Sequence, residues 1–232
     1  MLYTMRTFLV DRADVARFVE LSETAIWPAL EGREGRALGL WQVVMGGEER
    51  IVLITRYESL AHWQQTRSWP ENRVHGANAV PWPASGREAV AARAALTRAT
   101  DVIALQPLGE RRPPEDTPDG MPGIYALRSF QVRPEDMAEF VRRTEDAVWP
   151  WYETQGARPL GMWRAHVAEA PRIWMLTRYA DLGAWEASRE VGTEPEEPAP
   201  RAKWQALRQA NRNELIQGSG VRILRPISAR RP

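Results

Sequence analysis

The chain contains no cysteine. That excludes disulfides, thiol nucleophiles and cysteine-ligated metal or iron–sulfur centres, and makes a cytoplasmic setting the expected one. Excess charge is missing too: 31 Lys+Arg stand against 30 Asp+Glu, so no overall field draws the protein to nucleic acid or an anionic membrane. The one basic cluster is the terminal RPISARRP, too isolated for a nucleic-acid surface, and no nucleic-acid partner is expected. No apolar run approaches the roughly 18 residues of a membrane span, and the opening MLYTMRTFLV lacks a basic lead before an apolar stretch, so neither a leader nor a membrane contact is expected. Histidine is scarce: His62, His75 and His166 are dispersed, without HxH or HExxH spacing. No metal site is expected and no cofactor, with haem left open. GxGxxG, Walker and GxSxG sequences are absent, which leaves dinucleotide, NTP and serine-hydrolase chemistry without support.

Tryptophan, by contrast, is abundant, with 11 residues against five Tyr and four Phe. A buried indole N–H needs a partner, so this abundance points either to heavily aromatic packing or to an aromatic-lined cavity. The chain also repeats itself. ITRYESLAHWQQTR at 54–67 returns as LTRYADLGAWEASR at 176–189, and a shift of 122 aligns 3–67 with 125–189 without a gap, with about 25 identities in 65 pairs. Self-similarity of that extent marks a duplicated unit. Matched residues include Tyr3/Tyr125, Arg6/Arg128, Glu23/Glu145, Trp27/Trp149, Trp41/Trp163, Arg56/Arg178, Tyr57/Tyr179, Trp63/Trp185 and Arg67/Arg189. The Pro- and charge-rich stretch between the copies reads as a linker. The predicted organisation is 1–108, a linker over 109–122, and 123–228.

Each copy reads as a β-run, an amphipathic helix, two β-runs joined as a hairpin, helices, and a last β-run. Pro28 and Pro150 are expected to end or kink the first helices. The order β-α-β-β-α-β is ferredoxin-like: an antiparallel four-stranded sheet with helices on one face. Its bare face would meet water, and two copies can bury both bare faces within one chain. The predicted fold is therefore α+β, with two ferredoxin-like repeats whose antiparallel sheets form one intramolecular, pseudo-dimeric α+β barrel. Outer helices are left free for a homodimer.

GLW and GMW on the second strand, TRY closing the third, and a YxxRxF first strand resemble the NIPSNAP-type domain of the dimeric α+β-barrel superfamily, in tandem. The resemblance covers nearly all of each repeat. It implies relatives that include cofactor-independent monooxygenases of polyketide pathways, small isomerases, haem-binding enzymes and proteins of no known reaction, among which fold alone does not choose.

The site must be sought in the residues. Arg128 and Arg178, with Arg6 and Arg56, could hold a carboxylate or a developing enolate; symmetric retention equally fits structural ion pairs, with Glu23 or Glu145 as partners. Trp163 and Tyr179 divide in the same way between core packing and ligand contact. Function is expected where the copies differ. His62 faces Ala184 in the alignment and His166 faces Val44, and each imidazole could serve as a general base. By two-residue alternation His166 shares a sheet face with Arg164; if that face lines the barrel, base and cation adjoin. Trp174 is unmatched, and Trp69, His75 and Trp82 lie in or beside a long insertion that suits a lid over an aromatic substrate. Two readings follow: a cofactor-free monooxygenase or isomerase/cyclase acting on a hydrophobic aromatic or polyketide-like molecule by proton abstraction and enolate stabilisation, or a non-catalytic binding or scaffold protein. An enzyme should have one polar pocket with His166 or His62; a scaffold should have two similar, filled halves.

Overall fold

Strands with apolar residues on both faces need cover on both sides, and the duplicated β-runs obtain it from helices on one face and from each other on the other. The computed structural model describes residues 1–66, 82–111, 113, 123–166, 172–189 and 199–229. Its strands are β1 (Leu2–Val10), β2 (Arg36–Met45), β3 (Ile51–Tyr57), β4 (Thr97–Leu108), β5 (Ile124–Val132), β6 (Arg158–Ala165), β7 (Arg172–Tyr179) and β8 (Ile216–Pro226). The helices are α1 (Val15–Leu21), α2 (Trp27–Glu31), α3 (Leu60–Thr66), α4 (Ala84–Ala95), α5 (Met137–Arg143), α6 (Trp149–Thr154), α7 (Leu182–Ala187) and α8 (Ala199–Ala210). Among the described residues no helix is long and apolar enough to cross a membrane.

The strands close in the order β1-β3-β2-β8-β5-β7-β6-β4, all antiparallel. The expected α+β barrel is present, and the two sheets join edge to edge at β2–β8 and β4–β6. Closure removes the four edges that two separate sheets would expose. At each seam a glutamine faces an arginine: Arg225 donates to Gln42 Oε1 at 2.6 Å, and Arg164 donates to Gln106 Oε1 at 2.8 and 2.6 Å.

Inside the barrel, alternate residues of both halves form one core containing Tyr3, Trp41, Tyr125, Trp163 and Trp174. Two edge-to-face pairs cross between the halves, Tyr3 on Trp163 at 5.5 Å and Trp41 on Tyr125 at 5.4 Å. Each is the image of the other under the duplication, as in an isologous dimer interface. The other sheet faces carry two separate helix-covered cores, one per half.

Glu23 and Glu145 also reach across. Glu145 Oε1 accepts the Glu110 backbone N–H at 2.8 Å, just past β4, and Glu23 Oε1 accepts that of Ala229 at 2.7 Å, just past β8. Among the described residues neither carboxylate forms an ion pair with an arginine, which corrects the expected pairing with Arg6 and Arg128: an exiting strand has an unsatisfied N–H that the carboxylate satisfies. Pro28 and Pro150 do not end their helices. Each follows a π-helical turn, Ser22–Ile26 or Thr144–Val148, and sits in the first turn of α2 or α6, where its missing N–H and its ring are tolerated. The first part of the predicted linker is anchored, since Arg111 pairs with Glu153 and lies 4.7 Å over the Trp149 ring.

On the outer surface Glu139 accepts from Arg142 and Arg143. These hydrogen bonds, Arg142's first, lower its carboxyl to about 2. A depressed carboxylate contributes stability above its unfolded value, near 4.3, and loses that contribution as pH falls through the folded value. The expected NMR titration midpoint of Glu139 is about 2, returning toward the ordinary range in Arg142→Gln.

Candidate functional site

A polar pocket forms in the second half, between the sheet and its helices and outside the barrel interior, and neither His62 nor His166 lines it. Parity explains why. On β5, Tyr125 and Leu127 point into the barrel core, so Arg128 points to the helix side, as Arg6 does on β1. Arg128 lines a cavity of about 110 Å³ with Tyr152, Arg189, Arg208, Thr144 and Asn211. Phe130, Phe140, Val148 and Met175 supply apolar wall.

Arg128 donates from Nη1 to the Tyr152 hydroxyl at 2.8 Å, with its guanidinium 5.4 Å from that ring's centre. Its Nε and Nη2 are buried without a hydrogen-bond partner among the described residues. Arg208 lies 5.7 Å over both Trp151 and Tyr152, and Arg189 stacks on Trp185 at 4.9 Å. Among the described residues no carboxylate lines the cavity. Burial, then the charge of Arg128, lowers the Arg189 guanidinium from its ordinary value. Burial pushes the Tyr179 phenol up against the opposing pull of Arg128, so Tyr179 stays protonated at neutral pH and can only donate to an anion. Three cations and the Tyr152 phenol line a polar cavity with one apolar wall, an arrangement suited to an oxyanion attached to an apolar body.

The first half has the corresponding space, but it is smaller. Arg6, Arg93, Thr55 and Tyr57 surround about 70 Å³, and Trp82 closes it, 6% exposed, with its Nε1–H donating to the Thr66 carbonyl at 2.8 Å. Arg93 is held by Ser22 at 3.1 Å and lies 5.2 Å over both Phe8 and Phe18.

The expected site residues scatter. Arg128 lines the second-half pocket, Tyr179 packs edge to face against the pocket's Tyr152 at 6.5 Å without lining it, and Trp82 lines the first-half space. Trp163 and Trp174 are in the barrel core. Arg178 lies at the end of β7, and its counterpart Arg56 lines a shallow groove with Glu34 and Glu58. Arg164 and His166 are exposed, and Arg164 forms the seam contact with Gln106. The face they share is therefore not the barrel lining, because a register shift between Pro159 and Gly161 and the inward position of Trp163 set Arg164 outward. His62 is held by backbone on both nitrogens. Nδ1 accepts from the Glu58 N–H at 3.1 Å, so Nε2 carries the hydrogen donated to the Arg33 carbonyl at 2.6 Å. His62→Ala should cost roughly 1–2 kcal/mol of stability and leave second-half ligand affinity unchanged in parallel denaturation and titration experiments. Trp69 and His75 lie outside the described residues. Among the described residues no three metal-type side chains converge.

Sequence reasoning missed Tyr152, Arg189, Arg208 and Asn211. Tyr152 had a usable signal, since its partner in the repeat is Leu30. Arg189 was set aside as a matched residue with Arg67. Arg208 and Asn211 lie beyond the gapless self-alignment, and only the fold relates α8 to α4.

The NIPSNAP family profile matches residues 3–98 and again 125–230. Among solved structures, the chain resembles a protein of Lactobacillus acidophilus NCFM provisionally described as a monooxygenase, with TM-score 0.61, 10% identity, and 97% and 93% of the two chains covered. It also resembles one from Fusobacterium nucleatum subsp. nucleatum ATCC 25586 described in the same way, with TM-score 0.60, 12% identity and 98% and 92% coverage. An anthrone oxidase-like protein aligns with TM-score 0.55, 11% identity and 97% and 91% coverage. At such identities the likeness establishes the barrel fold. No curated protein matches the sequence.

Proposed function

The chain belongs to the NIPSNAP family, and from that premise we propose that its second-half pocket binds a small aromatic molecule as an oxyanion and acts on it without a cofactor. The observation that carries this reading is Arg128, which has two buried guanidinium nitrogens without partners among the described residues, in a cavity that no described carboxylate lines. Similarity to proteins described as monooxygenases and as anthrone oxidase-like raises oxygenation above other fates of such an anion, as an analogy of fold.

In this reading the arginines stabilise the enolate or phenolate of the bound substrate, so its proton leaves more readily, to water on the exposed side of Arg189. The activated carbon then attacks O₂ to form a C–O bond, and the resulting peroxide takes up the proton. Loss of water leaves a carbonyl, so that CH₂ and O₂ become C=O and H₂O. Reprotonation at another carbon would instead give an isomerase. The small enclosed volume takes about one ring, and a larger polycycle would project outward. A second reading, ligand binding without turnover, is favoured by one observation: no histidine lines the pocket among the described residues.

The test is oxygen uptake by the purified protein with one- to three-ring phenols and anthrones, alongside direct titration. Uptake of one O₂ per substrate, with the carbonyl product, is the expected result. Saturable binding without uptake or isomerised product would establish the binding protein, and no binding by any member would sink both.

A further inference from the structure

Two pocket side chains have no use in the oxyanion reading. Thr144 is 1% exposed and Asn211 4%; both line the cavity, and Thr144 Oγ1 and Asn211 Oδ1 are buried without a hydrogen-bond partner among the described residues. Buried polar atoms are nearly always satisfied, because removal from water without replacement is costly.

The first half shows how the same fold satisfies this position from within the protein. Ser22, the repeat partner of Thr144, donates to the Phe18 carbonyl at 2.7 Å and accepts from Arg93 at 3.1 Å. Arg93 is the tenth residue of α4, and Arg208 is the tenth of α8. Arg208 does not hydrogen-bond Thr144. It stacks instead on Trp151 and Tyr152 and donates to the Ser188 carbonyl at 3.3 Å. Asn211 begins a π-helical turn, Asn211–Leu215, that closes α8, whereas α4 passes through Leu96 directly into β4. Single π-helical turns recur at functional sites, and this one, unlike Ser22–Ile26 and Thr144–Val148, has no counterpart among the described residues of the other half. The second half has thus withdrawn one donor from Thr144 and added one acceptor, Asn211 Oδ1.

Resting on the oxyanion reading, we propose that Asn211 and Thr144 read a second, un-ionised hydroxyl of the ligand, so that the substrate class is a hydroxylated aromatic monoanion rather than a simple phenolate or carboxylate. The ionised oxygen lies on Arg128, the ring against Phe130, Phe140, Val148 and Met175, and the neutral O–H donates to Asn211 Oδ1 with Thr144 Oγ1 beside it. A site that hydrogen-bonds a ligand hydroxyl discriminates strongly against the analogue without it, since the protein's own acceptor is then stranded.

Three coloured one-ring probes separate the possibilities: 4-nitrophenol, 4-nitrocatechol and 2-methoxy-4-nitrophenol, titrated against the full chain by absorbance at a pH where each is largely a monoanion. The wild type should bind 4-nitrocatechol roughly tenfold or more tightly than the other two. Asn211→Leu and Thr144→Val should reduce that preference toward one, read as the ratio of affinities within each variant, while Arg128→Met weakens all three. Equal, Arg128-dependent binding of the three probes by the wild type would overturn the hydroxyl assignment and keep the oxyanion site. Binding of none, or binding indifferent to Arg128→Met, would overturn the oxyanion reading and this proposal with it. The comparison of probes on the wild type stands even where a variant fails to fold.

Discussion

Arg128→Met lowers affinity for ionised phenols at least about 100-fold while leaving the protein as stable as the wild type or more so. The size follows from what is removed: charge-assisted hydrogen bonds contribute about 1.5–3 kcal/mol each, and two donor nitrogens of Arg128 are buried and unpartnered. The sign of the stability change follows from the surroundings. Arg128 has no carboxylate partner among the described residues and depresses its neighbour Arg189 by charge, so replacing it with an apolar chain relieves repulsion and desolvation at the cost of one hydrogen bond to Tyr152. Loss of binding without loss of stability identifies a group held in place for a ligand. Arg128→Lys should recover little, because a point ammonium cannot present the same planar fork of donors. Isothermal titration with 4-nitrophenol and thermal unfolding of the three proteins decide it. A destabilised Arg128→Met protein that binds as well as the wild type would make this arginine a structural element, as its repetition at Arg6 first suggested.

The fold was legible because duplication doubles every signal: two copies of strand, helix, hairpin, helix and strand agree, and the exposed sheet face of one copy requires the other. Position within the fold was harder to read. Arg128 and Tyr179 were visible as candidates, yet their pocket lies under the helices, and strand parity could not say which face of β5 turns to the barrel. The two copies differ at this pocket as a whole, since Trp82 lines and narrows the first-half space. The differing residues that matter are Tyr152 against Leu30, and Asn211 on a turn the first half lacks. Neither described histidine lines the second-half pocket. His62 differs from Ala184 because α3 begins on a backbone contact that an imidazole satisfies, and His166 lies just past β6, where its own N–H bonds the Ala104 carbonyl at 2.8 Å.

Trp163→Ala is expected to cost about 3–5 kcal/mol, against a total stability on the order of 5–15 kcal/mol. Trp163 is 1% exposed inside the barrel and meets Tyr3 of the other half edge to face, so its removal leaves a cavity at the contact by which the halves recognise each other. Its Nε1–H has no hydrogen-bond partner. Trp163→Phe therefore forfeits no hydrogen bond and should cost far less than Trp163→Ala. A double-mutant cycle of Tyr3→Leu with Trp163→Leu should return a coupling of about 0.5–1.5 kcal/mol, and the cycle of Trp41 with Tyr125 should return a similar value, because the two pairs are images under the duplication. Denaturant unfolding followed by Trp fluorescence and by far-UV circular dichroism should remain one coincident transition in every variant. A barrel joined at two seams gives neither half a sheet it can close alone, and separate transitions for the halves would show that the shared aromatic core does not bind them into one folding unit.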